Sequence, residues 1–83
     1  MKIRVRYFAS LREALGPGEE LVLEAPLTLG ALRDTLAASG GAHGEVLARP
    51  RPVRCALDQV MRDEATPVGD GAEVAFFPPV TGG

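Results

Sequence analysis

The longest helical repeat in the chain occurs once. Thr28, a good N-cap, precedes Leu29, Leu32 and Leu36 at spacings of three and four, and Ser39-Gly40-Gly41 then breaks the pattern. This predicts a main helix of about three turns whose single apolar stripe covers a sheet. The segments around it read as strands. In Lys2 to Tyr7, the residues Ile3, Val5 and Tyr7 share one face while Lys2, Arg4 and Arg6 share the other. Glu20 to Glu24 reads as a second strand, stopped by Pro26, and forms a hairpin with the first. Val53, Cys55 and Leu57 alternate with Arg54 and Ala56, and Asp58-Gln59 separates them from Val60-Met61 as a second hairpin. Glu73 to Phe77 is the last strand.

The connections carry weaker signals. Ser10-Leu11-Arg12-Glu13 fits a capping box, and Leu11 with Leu15 before Gly16 predicts a one- to two-turn helix in the first connection. Residues 42–52, with Gly44, Pro50 and Pro52, read as an irregular connection in which Val46 and Leu47 tuck one short turn against the core. Pro67-Val68-Gly69-Asp70-Gly71 reads as a turn, with Asp70-Gly71 supplying positive φ angles. The expected architecture is α+β: a mixed sheet of four to five strands over one main helix. A single domain spans 1–83, with 78–83 a flexible functional tail.

Several function classes are set aside by composition. No apolar run approaches the roughly 18 residues a membrane span requires, and the alternation that starts at Lys2 leaves no room for a signal peptide, so a cytoplasmic chain without a membrane partner is expected. One cysteine and one histidine cannot build a structural zinc or four-cysteine iron–sulfur site, so neither a metal nor a bound cofactor is expected. The formal net charge is −2 with basic residues spread among acidic ones, which offers no nucleic acid a basic face. Cys55 lies on the buried face of its strand and reads as a packing residue. His43 reads as a solvated loop histidine beside glycines, and Asp63-Glu64 as a solvated acidic cap. No GxGxxG fingerprint is present.

The end of the chain is different. Val74 and Phe76 point one way and Ala75 and Phe77 the other, so both phenylalanines cannot enter one core. Phe77 is expected on the face away from the helix, where with Pro78, Pro79 and Val80 it makes an apolar patch for a partner protein. Pro78-Pro79 stops the strand and stiffens the exit, and Thr81-Gly82-Gly83 narrows to bare backbone. The six residues from Pro78 to Gly83 extend about 20 Å, enough to enter another protein's buried site. What such an insertion delivers is the Gly83 carboxylate, a poor electrophile until it becomes a mixed anhydride with a nucleotide. The chain thus reads as a carried substrate without a self-contained active site.

Two stretches carry a family resemblance. Asp70-Gly71-Ala72-Glu73-Val74-Ala75-Phe76-Phe77-Pro78-Pro79-Val80-Thr81-Gly82-Gly83 closely resembles the end of the molybdopterin synthase small subunit family, and Val5-Arg6-Tyr7-Phe8-Ala9-Ser10-Leu11-Arg12-Glu13 is similar to its opening. The resemblance implies a ubiquitin-like β-grasp fold. It also implies that an E1-like activating enzyme uses ATP to adenylate Gly83, which then becomes a thiocarboxylate. In that family the large subunit, in a heterotetramer, receives the tail, and the sulfur is used on cyclic pyranopterin monophosphate in molybdenum cofactor biosynthesis. Gly83 would carry the sulfur, Gly82 give slender access, and Phe77, Pro78, Pro79, Val80 and Thr81 meet the partner. Leu57-Asp58-Gln59 departs from the family, where Asn often precedes the hairpin turn. Other readings of the same end are a ubiquitin-like protein modifier and a sulfur carrier for thiazole (thiamine) synthesis or tRNA thiolation.

Overall fold

The structure, a computed structural model, describes residues 1–79. The chain runs β1 (Lys2–Tyr7), α1 (Ala9–Leu15), β2 (Gly18–Val22), β3 (Leu27–Thr28), α2 (Leu29–Ala38), α3 (Gly41–Leu47), β4 (Arg54–Leu57), β5 (Val60–Arg62), β6 (Pro67–Val68) and β7 (Glu73–Phe77). The main sheet has the order β2-β1-β7-β4-β5, with β1 and β7 parallel and every other pair antiparallel. This is the mixed sheet expected.

The alternation in β1 is realised residue by residue: Ile3, Val5 and Tyr7 are buried, while Lys2, Arg4 and Arg6 are exposed. α2 covers that inner face. Its cap forms as expected, with Thr28 Oγ1 accepting from Ala31 N at 3.1 Å, and Leu29, Leu32 and Leu36 are buried. Val74 and Phe76 of β7 complete the core beside Tyr7.

Four local expectations change. α1 begins at Ala9, so Ser10 lies inside it and no capping box forms; the Phe8 carbonyl instead accepts from Leu11 N and Arg12 N. β2 runs from Gly18 to Val22 rather than from Glu20 to Glu24. Gly18 is required there, because a Cβ would sit 2.3 Å from the Val5 carbonyl oxygen. Much of the expected irregular connection is α3, a seven-residue helix entered through two positive-φ glycines, Gly40 and Gly41, and anchored by fully buried Leu47. Pro67-Val68 is a strand, not a turn: it pairs with Leu27-Thr28 in a separate two-stranded sheet and buries Val68. Of the two residues expected to supply positive φ, only Gly71 does so; Asp70 instead accepts from Lys2 N at 2.7 Å.

An ion-pair knot joins α2 to the loop after α3. Arg33 is 4% exposed. Its Nε donates to Leu47 O at 2.8 Å and its Nη2 to Ala48 O at 2.9 Å and Arg51 O at 2.7 Å. Its Nη1 donates to Glu64 Oε2 at 3.0 Å. Arg49 bonds the other Glu64 oxygen and both oxygens of Asp34. Glu64 is therefore not a solvated cap, whereas Asp63 is turn-capping, accepting from Ala65 N at 3.0 Å.

Arg33→Ala leaves three loop carbonyls and Glu64 without this donor, and is expected to lower unfolding free energy by about 3 kcal/mol, read from urea denaturation. Arg49 first, against an opposing effect of burial, and then Arg33 hold the Glu64 carboxyl below its usual range. Its contribution is present above the unfolded-chain value near 4.3 and is lost as pH falls through the lower folded value. Glu64→Gln should flatten that part of the acid-denaturation profile; an unchanged profile would show that the knot does not titrate with folding.

Candidate functional site: the outer sheet face at the end of β7

The parity of β7 decides which side chains face outward. Val74 and Phe76 are buried in the core, while Ala75 and Phe77 are half-buried on the opposite face. Register then names their neighbours: Ala75 lies between Arg6 and Ala56, Ala56 pairs with Met61, and Phe77 pairs with Arg54. Together with Phe8, the residues Ala56, Met61, Ala75 and Phe77 line an open groove of about 390 Å³ that Arg6, Gln59 and Glu73 also border. Phe8 is 39% and Met61 54% exposed, so the groove offers apolar surface to solvent. The Arg6 guanidinium lies 5.5 Å from the centre of the Phe8 ring, which keeps a cation over an aromatic at the groove's edge.

Of the residues expected to meet a partner, Phe77, Pro78 and Pro79 are at this groove's end of the sheet and half-buried. Val80, Thr81, Gly82 and Gly83 lie outside the described residues. Phe8, Met61, Ala56 and Arg6 were not expected here. Phe8 continues the outward parity of Lys2, Arg4 and Arg6, a signal present in the sequence. Met61 enters only through the β4–β5 register.

That register rests on the Asp58-Gln59 turn. Both residues have positive φ, 48° and 70°, the twist that a tight hairpin favours. Asp58 also bridges to β7, its N–H donating to Glu73 O at 2.8 Å and its Oδ1 accepting from Glu73 N at 2.9 Å. An aspartate therefore holds this turn.

Beneath the groove a polar contact braces the same strand end. The Phe76 ring stacks on Tyr7 with centroids 6.5 Å apart. Tyr7 Oη donates to Glu19 Oε2 at 2.8 Å, and His43 Nε2 lies 2.7 Å from that same oxygen. Burial first, then the bond to Glu19, pushes the Tyr7 phenol well above its usual range. Burial pushes the Glu19 carboxyl up, but the hydrogen bonds with His43 and Tyr7 outweigh it and hold the group low. His43 is thus no solvated loop residue: it sits in α3 and ties that helix to β2. Cys55 is buried as expected, its Sγ donating to Arg62 O at 3.4 Å, and burial raises its thiol. Among the described residues no three His, Cys, Asp or Glu side chains are grouped to hold a metal ion, and no helix is long and apolar enough to cross a membrane.

Residues 5–83 match the ThiS family. Over 82 residues the chain is 39% identical to the molybdopterin synthase sulfur carrier subunit of Escherichia coli, a comparison covering 98% of this chain and 99% of that one. A chain in the protein–protein complex of subunits 1 and 2 of the molybdopterin-converting factor from Helicobacter pylori superposes with a TM-score of 0.70 at 27% identity, over 100% of both chains. Small archaeal modifier protein 1 from Haloferax volcanii superposes with a TM-score of 0.76 at 21% identity, covering 95% of this chain and 98% of that one. At that identity the likeness concerns fold, and the fold is the ubiquitin-like β-grasp. With the family match extending over all but the first four residues, and full-length similarity to a sulfur carrier subunit, the chain belongs to the ThiS family.

Proposed function

We propose that this chain is a sulfur carrier in molybdenum cofactor biosynthesis, the small subunit of a molybdopterin synthase. The observation that carries the reading is the placement of Phe77 and its apolar groove immediately before Pro78-Pro79 and the segment ending in Gly82-Gly83. The E. coli relative's name and the H. pylori two-subunit complex support it.

The chemistry runs through the Gly83 carboxylate. In an E1-like activating enzyme, a carboxylate oxygen attacks the α-phosphorus of ATP, and pyrophosphate leaves. Hydrosulfide-level sulfur then adds to the acyl carbon, the bond to the phosphate oxygen breaks, AMP departs with the electron pair and the sulfur's proton passes to solvent. A thiocarboxylate results. In the large subunit, this sulfur is donated to cyclic pyranopterin monophosphate, and water restores the carboxylate. The fold supplies no catalytic group to these steps. Its part is to dock through Phe77, Phe8 and Met61 and to feed Val80, Thr81 and Gly82 into each enzyme in turn. Glycine at 82 and 83 leaves the acyl carbon unhindered, as a narrow channel requires.

Deleting Gly83 is expected to abolish molybdopterin formation in a reconstituted synthase while shifting the thermal midpoint little, since the segment lies past the core strands. Molybdopterin production by the truncated chain at the full rate would refute the carrier role. Phe77→Ala is expected to weaken binding to the large subunit by at least about 1 kcal/mol, measured by titration calorimetry. An unchanged dissociation constant would remove Phe77 from the interface.

A further inference from the structure

The cationic side chains here are nearly all guanidinium groups: Lys2 is the one lysine among the 83 residues, and the other eight are arginines. That difference matters for a chain that presents an activated acyl group, the reading proposed above and the one on which this inference rests. A guanidinium keeps its proton and does not add to a carbonyl carbon, whereas a lysine ammonium sheds a proton to become a nucleophile. Around the end of β7 the cations are Arg6, over Phe8, and Arg54, opposite Phe77. Neither can capture the acyl group that leaves from beside it. Two other nucleophile types in the fold are withheld: the Tyr7 hydroxyl is buried against Glu19, and Cys55 is 5% exposed.

Lys2 occupies the opposite end of the same outer face. It opens β1 across from Val22, which is 78% exposed, and it forms no ion pair among the described residues. Its backbone is fixed from both sides, its N–H donating to Asp70 Oδ1 at 2.7 Å and its carbonyl accepting from Gly71 N at 2.8 Å. The side chain projects into solvent from a rigid strand end. Tyr7, at the other end of β1, is level with Phe76. The strand climbs about 17 Å between Lys2 and Tyr7 at 3.3 Å per residue, and residues 78–83 reach about 20 Å fully extended. Joining Gly83 to the Lys2 of its own molecule would need that whole segment doubled straight back down the sheet. The Lys2 of a second copy imposes no such demand.

We propose that Lys2 is the acceptor through which a second copy of this chain is joined to an activated Gly83, and that it is the only side chain that serves. The unprotonated Nζ adds to the Gly83 acyl carbon and forms the amide C–N bond. The bond from that carbon to the adenylate oxygen breaks, AMP leaves with the electron pair, and the surplus amine proton passes to solvent. Products longer than two units are then linear, each linked Gly83 to Lys2.

The test bypasses the activating enzyme by preparing the full chain with a mercaptoethanesulfonate thioester at Gly83. Incubated alone at high concentration and mildly alkaline pH, it is expected to give dimers by intact mass, with peptide mapping placing the branch on Lys2. Lys2→Arg should lower side-chain-linked dimer at least about tenfold, because the charge stays and the nucleophile goes. Arg6→Lys should create a second acceptor beside the tail's own root. Branches on another side chain, an undiminished yield in Lys2→Arg, or a monomeric wild type whose thioester hydroxylamine still consumes would each overturn the proposal. Failure of the carrier reading would show separately, as no ATP-dependent mass change at Gly83, and would leave these outcomes untouched.

Discussion

Everything in this fold hangs on the pairing of β1 with β7. The two strands stand at opposite ends of the sequence yet lie parallel at the centre of the sheet, with Val5 beside Val74 and Tyr7 beside Phe76. A parallel pair cannot be closed by a tight turn, so the intervening chain has to cross over the sheet, and α2 is the part that covers its inner face. β2 and β4 then extend the two central strands by antiparallel pairing. One register at the centre decides both faces: Val74 and Phe76 enter the core, while Ala75 and Phe77 join the groove. A slip by one residue would exchange them, burying Phe77 and exposing Phe76.

The least economical feature is Arg33, a cation buried under the loop that follows α3. Leu47 ends α3 and residues 48–53 belong to no helix or strand, so the carbonyls of Leu47, Ala48 and Arg51 lie beyond any ladder. A guanidinium reaches all three with one side chain and turns its remaining edge to Glu64. An apolar residue of the same volume would spare the desolvation of a charge but leave the Leu47 and Arg51 carbonyls without this donor and Ala48 O with only the Arg51 N–H. Gly30 makes room for the arrangement: a Cβ there would come within 3.0 Å of Glu64 Oε1 and 3.3 Å of Arg49 Nη2. The knot fixes the path of a loop that has no helix or strand ladder of its own.

These features also mark the boundary of what could be read from residues alone. β1, α2, the β4–β5 hairpin and β7 were legible because each repeats its signal at a fixed period over several positions. α3 shows in the sequence only as a single turn, since two glycines open it and its stability comes from Leu47 packing into the core. β6 leaves no signal of its own, because Pro67-Val68 gains its partner from Leu27-Thr28 and a two-residue pairing has no period. Glu64 and His43 look solvated in the sequence for the same reason: Arg33, Arg49 and Glu19 approach them only in three dimensions. At the site, parity alone placed Phe77 outward, and it could have placed Phe8. Met61 and Ala56 required the hairpin register.

The groove and the segment beyond it are coupled by length. With about 20 Å of reach from Pro78 to Gly83, any protein that acts on the Gly83 carboxylate must hold the body of the fold close to the end of β7. The apolar groove lies there, and the two prolines restrict the backbone where the chain leaves it. A longer or looser connection would let the carboxylate explore more volume and dilute it at the partner's site. A shorter one would stop outside that site. In the carrier reading proposed above, docking strength on the sheet face and delivery of the acyl carbon would therefore be a single design problem, with the position of Phe77 setting the effective concentration at which Gly83 is presented.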